Sequence, residues 1–417
     1  MQRLLLKDVR VLFLVMLGVV VGSTSGQGRD DRPERRVKDA ALQNRINGAI
    51  YSGMDYLTAQ QNPDGSWPFE QQGGRRRQFA GEHDFTGGLT ALGLYALAAS
   101  GMRKDDPTIQ RGLKWLQRHR RPFDEGSKAT YCASLLIMAL TRIDVAEHRR
   151  WIHELADRIA RSQLRHGQWH YLLQSRYADK ERRPAGRRGG AGRLGAGRGR
   201  GGLQQQMQPG DNSNTQFAVL ALWTAQVLAG YKVSPKVWRR LSALYLRTQH
   251  EDGGWGYKAP VTSTKSGRGV SARVFDSRPT MTEAGLIGFV CATAALRGGI
   301  KGLSAARKHK AAVQGMNAFI ADRSAWSQMF WDYYYVYGVE RVGTVLGLPE
   351  QGWYSIGAKL LVARQHEDGY WKLAARAGGG RPSHGDEWQV YETALALLFL
   401  SKATAHPITP RTVQKRR

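Results

Sequence analysis

The chain has 417 residues, 41% of them apolar, enough for one large core. Its two cysteines cannot build a structural zinc site unaided, and Cys132 and Cys291 both sit in apolar helical stretches, where they read as small buried thiols. The formal net charge of +28 attracts polyanions, an acidic polysaccharide or an anionic membrane surface ahead of nucleic acid.

In chain order, residues 1–10 carry Arg3, Lys7 and Arg10. An apolar run follows over 11–22, then the small residues Ser23, Thr24, Ser25 and Gly26. This is the layout of a secretory signal, expected over 1–26, with 27–40 as a linker. The chain is then exported to a periplasmic or extracellular space; an uncleaved amino-terminal anchor is the alternative. No long apolar run free of charge follows, which argues against a polytopic membrane protein.

From about residue 41 one motif recurs. Its complete copies are Gln61-x-x-x-Gly65-x-Trp67, Gln163-x-x-x-Gly167-x-Trp169, Gln249-x-x-x-Gly253-x-Trp255 and Gln365-x-x-x-Gly369-x-Trp371. Degenerate copies at 117–123 and 320–326 fill the gaps, giving six units. An amphipathic helix precedes each copy, as in 235–248, where Val237, Trp238, Leu241, Leu244 and Tyr245 form one stripe. A helix apolar nearly all round follows, as in 87–99, 216–229 and 393–400, and must be buried on every side. Six of each kind, alternating, predict an all-α (α/α)6 toroid over 41–404, with an inner ring of apolar helices and an outer ring of amphipathic ones; an open solenoid is the alternative. Inserts near 174–210 and 259–278 read as mobile. The first includes 181–200, with seven arginines against one glutamate, a candidate polyanion contact or a solvated insert. A basic tail covers 405–417.

The motif resembles the QW repeat of the terpenoid cyclase and protein prenyltransferase superfamily. The resemblance covers nearly the whole mature chain and implies the toroid and an apolar central cavity. The glutamine can bond free backbone groups at neighbouring helix ends, and the indole supplies buried area. The squalene-type Asp-x-Asp-Asp acid does not occur here. Where prenyltransferases place zinc ligands, this chain reads Thr280-Met281-Thr282-Glu283 and Val390-Tyr391-Glu392-Thr393. No cofactor or metal is implied.

The inner helices run the same way, so their starts gather at one mouth. Candidate ligand-binding residues there are His83, Asp84, Asp211, Asn214, Gln216, Asp332, Tyr333, Tyr335, Glu387 and Tyr391. Three readings stay open. The acids cap helices, Asp84, Asp211 and Asp332 above all. Alternatively, paired carboxylates and stacking aromatics cut or bind a glycan, as a hydrolase or lyase. In the third, the cavity holds an isoprenoid-like apolar ligand whose polar end meets the rim. Glu283 and Glu392, one turn inside their helices, are the candidate catalytic acids. The leading expectation is a binding or scaffolding toroid without standard cyclase or prenyltransferase chemistry.

Overall fold

In the computed structural model, residues 40–67, 85–173, 210–258, 277–296, 302–321, 333–372 and 386–402 are described. The expected signal, the basic tail and nearly all of the linker and both inserts lie outside them. The described residues form 13 helices and no strand.

The amphipathic set is α1 (Ala40–Ala59), α3 (Pro107–Arg118), α6 (Val145–Arg161), α8 (Pro235–Thr248), α10 (Gly302–Ala321) and α12 (Glu350–Arg364). The apolar set is α2 (Thr86–Ser100), α5 (Ala129–Ile143), α7 (Asn212–Leu228), α9 (Pro279–Ala295), α11 (Tyr333–Val345) and α13 (Asp386–Leu400). A single turn, α4 (Arg121–Asp124), sits between α3 and α5.

Local chemistry sets several boundaries. The Asp106 carboxylate accepts from the Thr108 N–H at 2.8 Å, and Pro107 occupies the first turn, so α3 starts there. Asp144 accepts from the N–H groups of Ala146 and Glu147 and starts α6. The outer helices bury one stripe: Ile152, Leu155, Ala156 and Ile159 in α6. The inner helix α2 is buried without a break from Gly87 to Leu97.

The apolar helices pack in the order α2, α5, α7, α9, α11, α13, and α13 returns to α2. The ring is therefore closed, and the open solenoid is excluded. Ser100 and Ser401 hydroxyls meet at 2.9 Å across the closing seam.

Each complete motif makes the same bonds. Trp67, Trp169, Trp255 and Trp371 donate their indole N–H to the carbonyls of Leu57, Ile159, Tyr245 and Leu361, each ten residues earlier. Their backbone N–H groups donate to the hydroxyls of Thr90, Thr215, Thr282 and Thr393 in the inner helix that follows. The glutamine amides of Gln61, Gln163, Gln249 and Gln365 donate to the carbonyl of their own motif glycine. Each also donates to a carbonyl of the next outer helix: Thr108, Val237, Lys308 and Ala49. Each motif therefore ties an outer helix to its inner partner and to the next unit. The glycine is required twice over. Gly167 has φ +110°, and a Cβ there would lie 2.7 Å from the Arg240 carbonyl oxygen.

The second joint is different. Gln117 is exposed inside α3, while Phe123 keeps the buried aromatic role. Charged contacts span this joint: Arg120 to Glu154 at 3.1 Å, and Arg158 to the Asp124 carboxylate and carbonyl. The fifth copy, 320–326, runs past the described residues after Ala321. Cys132 and Cys291 are both buried thiols that form no disulfide.

Candidate functional site

Tyr131, Ser213 and Tyr334 stand in the first turns of α5, α7 and α11. They meet at the ring's mouth, although α7 and α11 are not neighbours in the ring. Tyr334 therefore reaches across the lumen. The Tyr131 hydroxyl donates to Ser213 Oγ at 2.8 Å, and Ser213 and Tyr334 hydroxyls lie 2.9 Å apart. The Tyr334 hydroxyl donates to Gln216 Oε1 at 2.7 Å. Rings close the same space: Phe217 packs edge-on to Tyr131 at 5.0 Å and stacks near-parallel with Tyr337 at 6.0 Å. Burial raises the Tyr131 phenol well above its ordinary range, so it is a neutral donor at any physiological pH.

Deeper in the lumen, Arg341 is buried and crosses toward α2. Its guanidinium donates to the Tyr95 hydroxyl at 2.9 Å and lies 4.2 Å from the centre of the Tyr337 ring. Glu340 Oε2 stands 3.3 Å from Arg341 Nε, and Thr344 donates to Glu340 Oε1. The cavity that Arg341 shares with Tyr95, Met138, Trp223, Cys291 and Val345 measures about 20 Å³, room for about one water. Burial pushes the Cys291 thiol up to about 12, which makes it a packing group and no nucleophile at neutral pH.

The sequence-derived candidates fall into four places. Asp211 caps α7: its carboxylate accepts from the Asn214 backbone N–H at 2.7 Å and side-chain N–H at 2.8 Å. Burial raises its pKa, against the stabilising bonds from Asn214 and the Tyr257 phenol. Gln216 belongs to the mouth itself. Glu283 is fully buried between α9 and α11, where a Cβ on Gly338 would lie 1.8 Å from its Oε2. Tyr335 is beside it, and burial, with the Glu283 charge second, raises that phenol.

Glu392 is buried in α13, on the other flank of α11. Tyr333 lies near it, raised by burial and then by the Glu392 charge. The two glutamates are thus held on opposite flanks of α11. Tyr391 is half-buried and packs edge-on to Trp388 at 5.5 Å. His83, Asp84 and Asp332 lie outside the described residues, as does the Glu387 side chain. Among the described residues, no group of three or more His, Cys, Asp or Glu could hold a metal ion, and no helix is long and apolar enough to cross a membrane.

Sequence reasoning passed over Tyr131, Ser213, Phe217 and Tyr95. The available signal was a phenol or hydroxyl inside an otherwise aliphatic inner helix.

No protein-family model matches this sequence, and no curated protein matches it. Solved structures do match the fold. The apo type II terpene cyclase MstE from Scytonema aligns with a TM-score of 0.50 at 12% identity, over 86% of this chain and 99% of that one. A variant of that enzyme in complex with the substrate geranylgeranyl dihydroxybenzoate gives a TM-score of 0.50 at 12% identity, over 87% and 99%. The fold is that of the terpenoid cyclases, an all-α toroid.

Proposed function

We propose that this protein is a binding toroid that takes an isoprenoid-like ligand at the mouth of its ring and carries out no cyclisation. The observation that carries this reading is the Tyr131–Ser213–Tyr334–Gln216 chain, a polar grip set among aromatic rings from three inner helices. Aromatic faces accept apolar chains, and a few placed polar groups fix orientation. The ligand class draws support from the fold: MstE, built on the same toroid, holds a prenylated substrate. Against cyclisation stand the missing Asp-x-Asp-Asp acid and the small size of the cavity around Arg341, whose about 20 Å³ cannot hold a folded polyene. Against the glycan hydrolase or lyase stands the placement of Glu283 and Glu392 on helices α9 and α13, which flank α11 from either side, since both glycosidase geometries need two carboxyl groups converging on one bond.

Mass spectrometry of an organic extract of the natively purified protein tests the proposal. A molecule with an isoprenoid chain is the expected result. A glycan in its place, or an extract no richer in lipid than that of the Tyr131→Ala/Tyr334→Ala variant, overturns it.

Export and polyanion contact through 181–200 belong to the same proposal. A cytosolic chain retaining Met1 would refute the first. Unchanged elution from a heparin column on deleting 181–200 would refute the second.

A further inference from the structure

The direction of the hydrogen bonds at the mouth restricts the ligand's head group. Tyr131 donates to Ser213, and Tyr334 donates to Gln216 Oε1. The Tyr334 proton is therefore committed, so Ser213 must be the donor in its 2.9 Å contact with Tyr334. All three hydroxyl protons point one way along the chain, which ends on the Gln216 carbonyl. In this arrangement Gln216 Nε2 is the terminal donor. Gln216 is 1% exposed, and its Nε2 has no hydrogen-bond partner among the described residues. A buried N–H group left in this state is costly, and an acceptor supplied by a ligand removes the cost.

Among the described residues, no lysine or arginine side chain bonds the hydroxyls of Tyr131 or Ser213 or the Gln216 amide. A buried anion held by neutral donors carries a large desolvation penalty. Resting on the isoprenoid reading above, we infer that the ligand presents an uncharged acceptor oxygen, a carbonyl of an ester, ketone or quinone, to Gln216 Nε2. A diphosphate or free carboxylate head does not suit this seat.

Three probes with one chain separate the possibilities: methyl farnesoate (ester carbonyl), farnesoate (carboxylate) and farnesene (no head). Each is titrated into the full chain and into Gln216→Leu and Gln216→Met, with tryptophan fluorescence as the readout and circular dichroism as the fold check. The ester is expected to bind roughly tenfold tighter than farnesene to the parent, and the advantage to vanish in both variants. If neither variant folds, Tyr334→Phe, which frees the amide to rotate, is expected to shrink the same advantage. The inference is overturned if ester and hydrocarbon bind equally to the parent, if the advantage survives in the folded variants, or if farnesoate binds tighter than the ester. Absence of binding by all three probes overturns the isoprenoid reading as well, so the two failures are distinguishable.

Discussion

The side-chain amide of Gln365 donates to the backbone carbonyl of Ala49 at 2.8 Å and so fastens the last helix pair to the first. The same amide donates to Gly369 O at 2.8 Å. Gln365→Ala removes both bonds and is expected to destabilise the fold by about 1–3 kcal/mol. Gln117→Ala, at the exposed position of the degenerate second copy, is expected to stay within about 0.5 kcal/mol of the parent. Thermal unfolding of the two variants side by side checks this. Equal effects would remove the clamp role.

Glycine substitutions should split by backbone conformation. Gly167→Ala places a Cβ against the Arg240 carbonyl at φ +110° and is expected to cost about 1–3 kcal/mol. Gly48 is helical, with nothing within 4 Å of the added atom. Gly48→Ala is expected to stabilise by about 0.5–1 kcal/mol. Urea unfolding midpoints give both signs, and a neutral Gly167→Ala would contradict the strain argument.

The second joint should respond to salt. Its glutamine clamp is missing, and Arg120–Glu154 and Arg158–Asp124 span it on a partly exposed surface. Each such pair contributes about 0.2–1 kcal/mol and is screened by ions. Raising sodium chloride to roughly 1 M is expected to speed amide exchange in α6 more than in α8, whose start is held by Gln163. Parallel changes in both helices would argue against an ionic joint.

Acid should act through His309. Burial lowers its pKa to about 4 in the folded chain, from an ordinary value of 6.5. Above 6.5 both folded and unfolded forms are neutral. As pH falls below 6.5 the unfolded chain takes up a proton that the folded chain refuses, so stability is lost down to about pH 4. The loss from this one ring is on the order of 3 kcal/mol. His309→Phe, beside Phe289, is expected to flatten the midpoint-against-pH curve in that window. An unchanged slope would assign the acid limb to other groups.

The ring was legible in the sequence because its signals are local. A motif tryptophan bonds a carbonyl ten residues back, and a motif glutamine bonds a carbonyl four residues on, so the spacing is visible along the chain. The alternation of one-sided and all-apolar helices then assigns each to the outer or inner ring. Capping by Asp211 was equally local and equally readable.

The contents of the lumen could not be read the same way. A helix that is apolar all round carries no periodic mark of which face looks inward, so its rotation about its own axis is invisible in sequence. Glu283 shows the consequence. One turn inside α9, its place along the chain made it a candidate catalytic acid, but only the folded ring shows that its carboxylate packs against Gly338 of α11. The mouth assembles Tyr131, Ser213, Gln216 and Tyr334 from three helices, with Ser213 and Tyr334 separated by 121 positions. By itself the sequence determined the six alternating helix pairs, because the motif bonds that mark them lie within a few turns of chain, whereas closure of the ring rests on distant contacts such as Gln365 to Ala49. Tertiary packing alone decided what fills the frame, because only ring closure fixes how each inner helix is turned and which side chains meet across it.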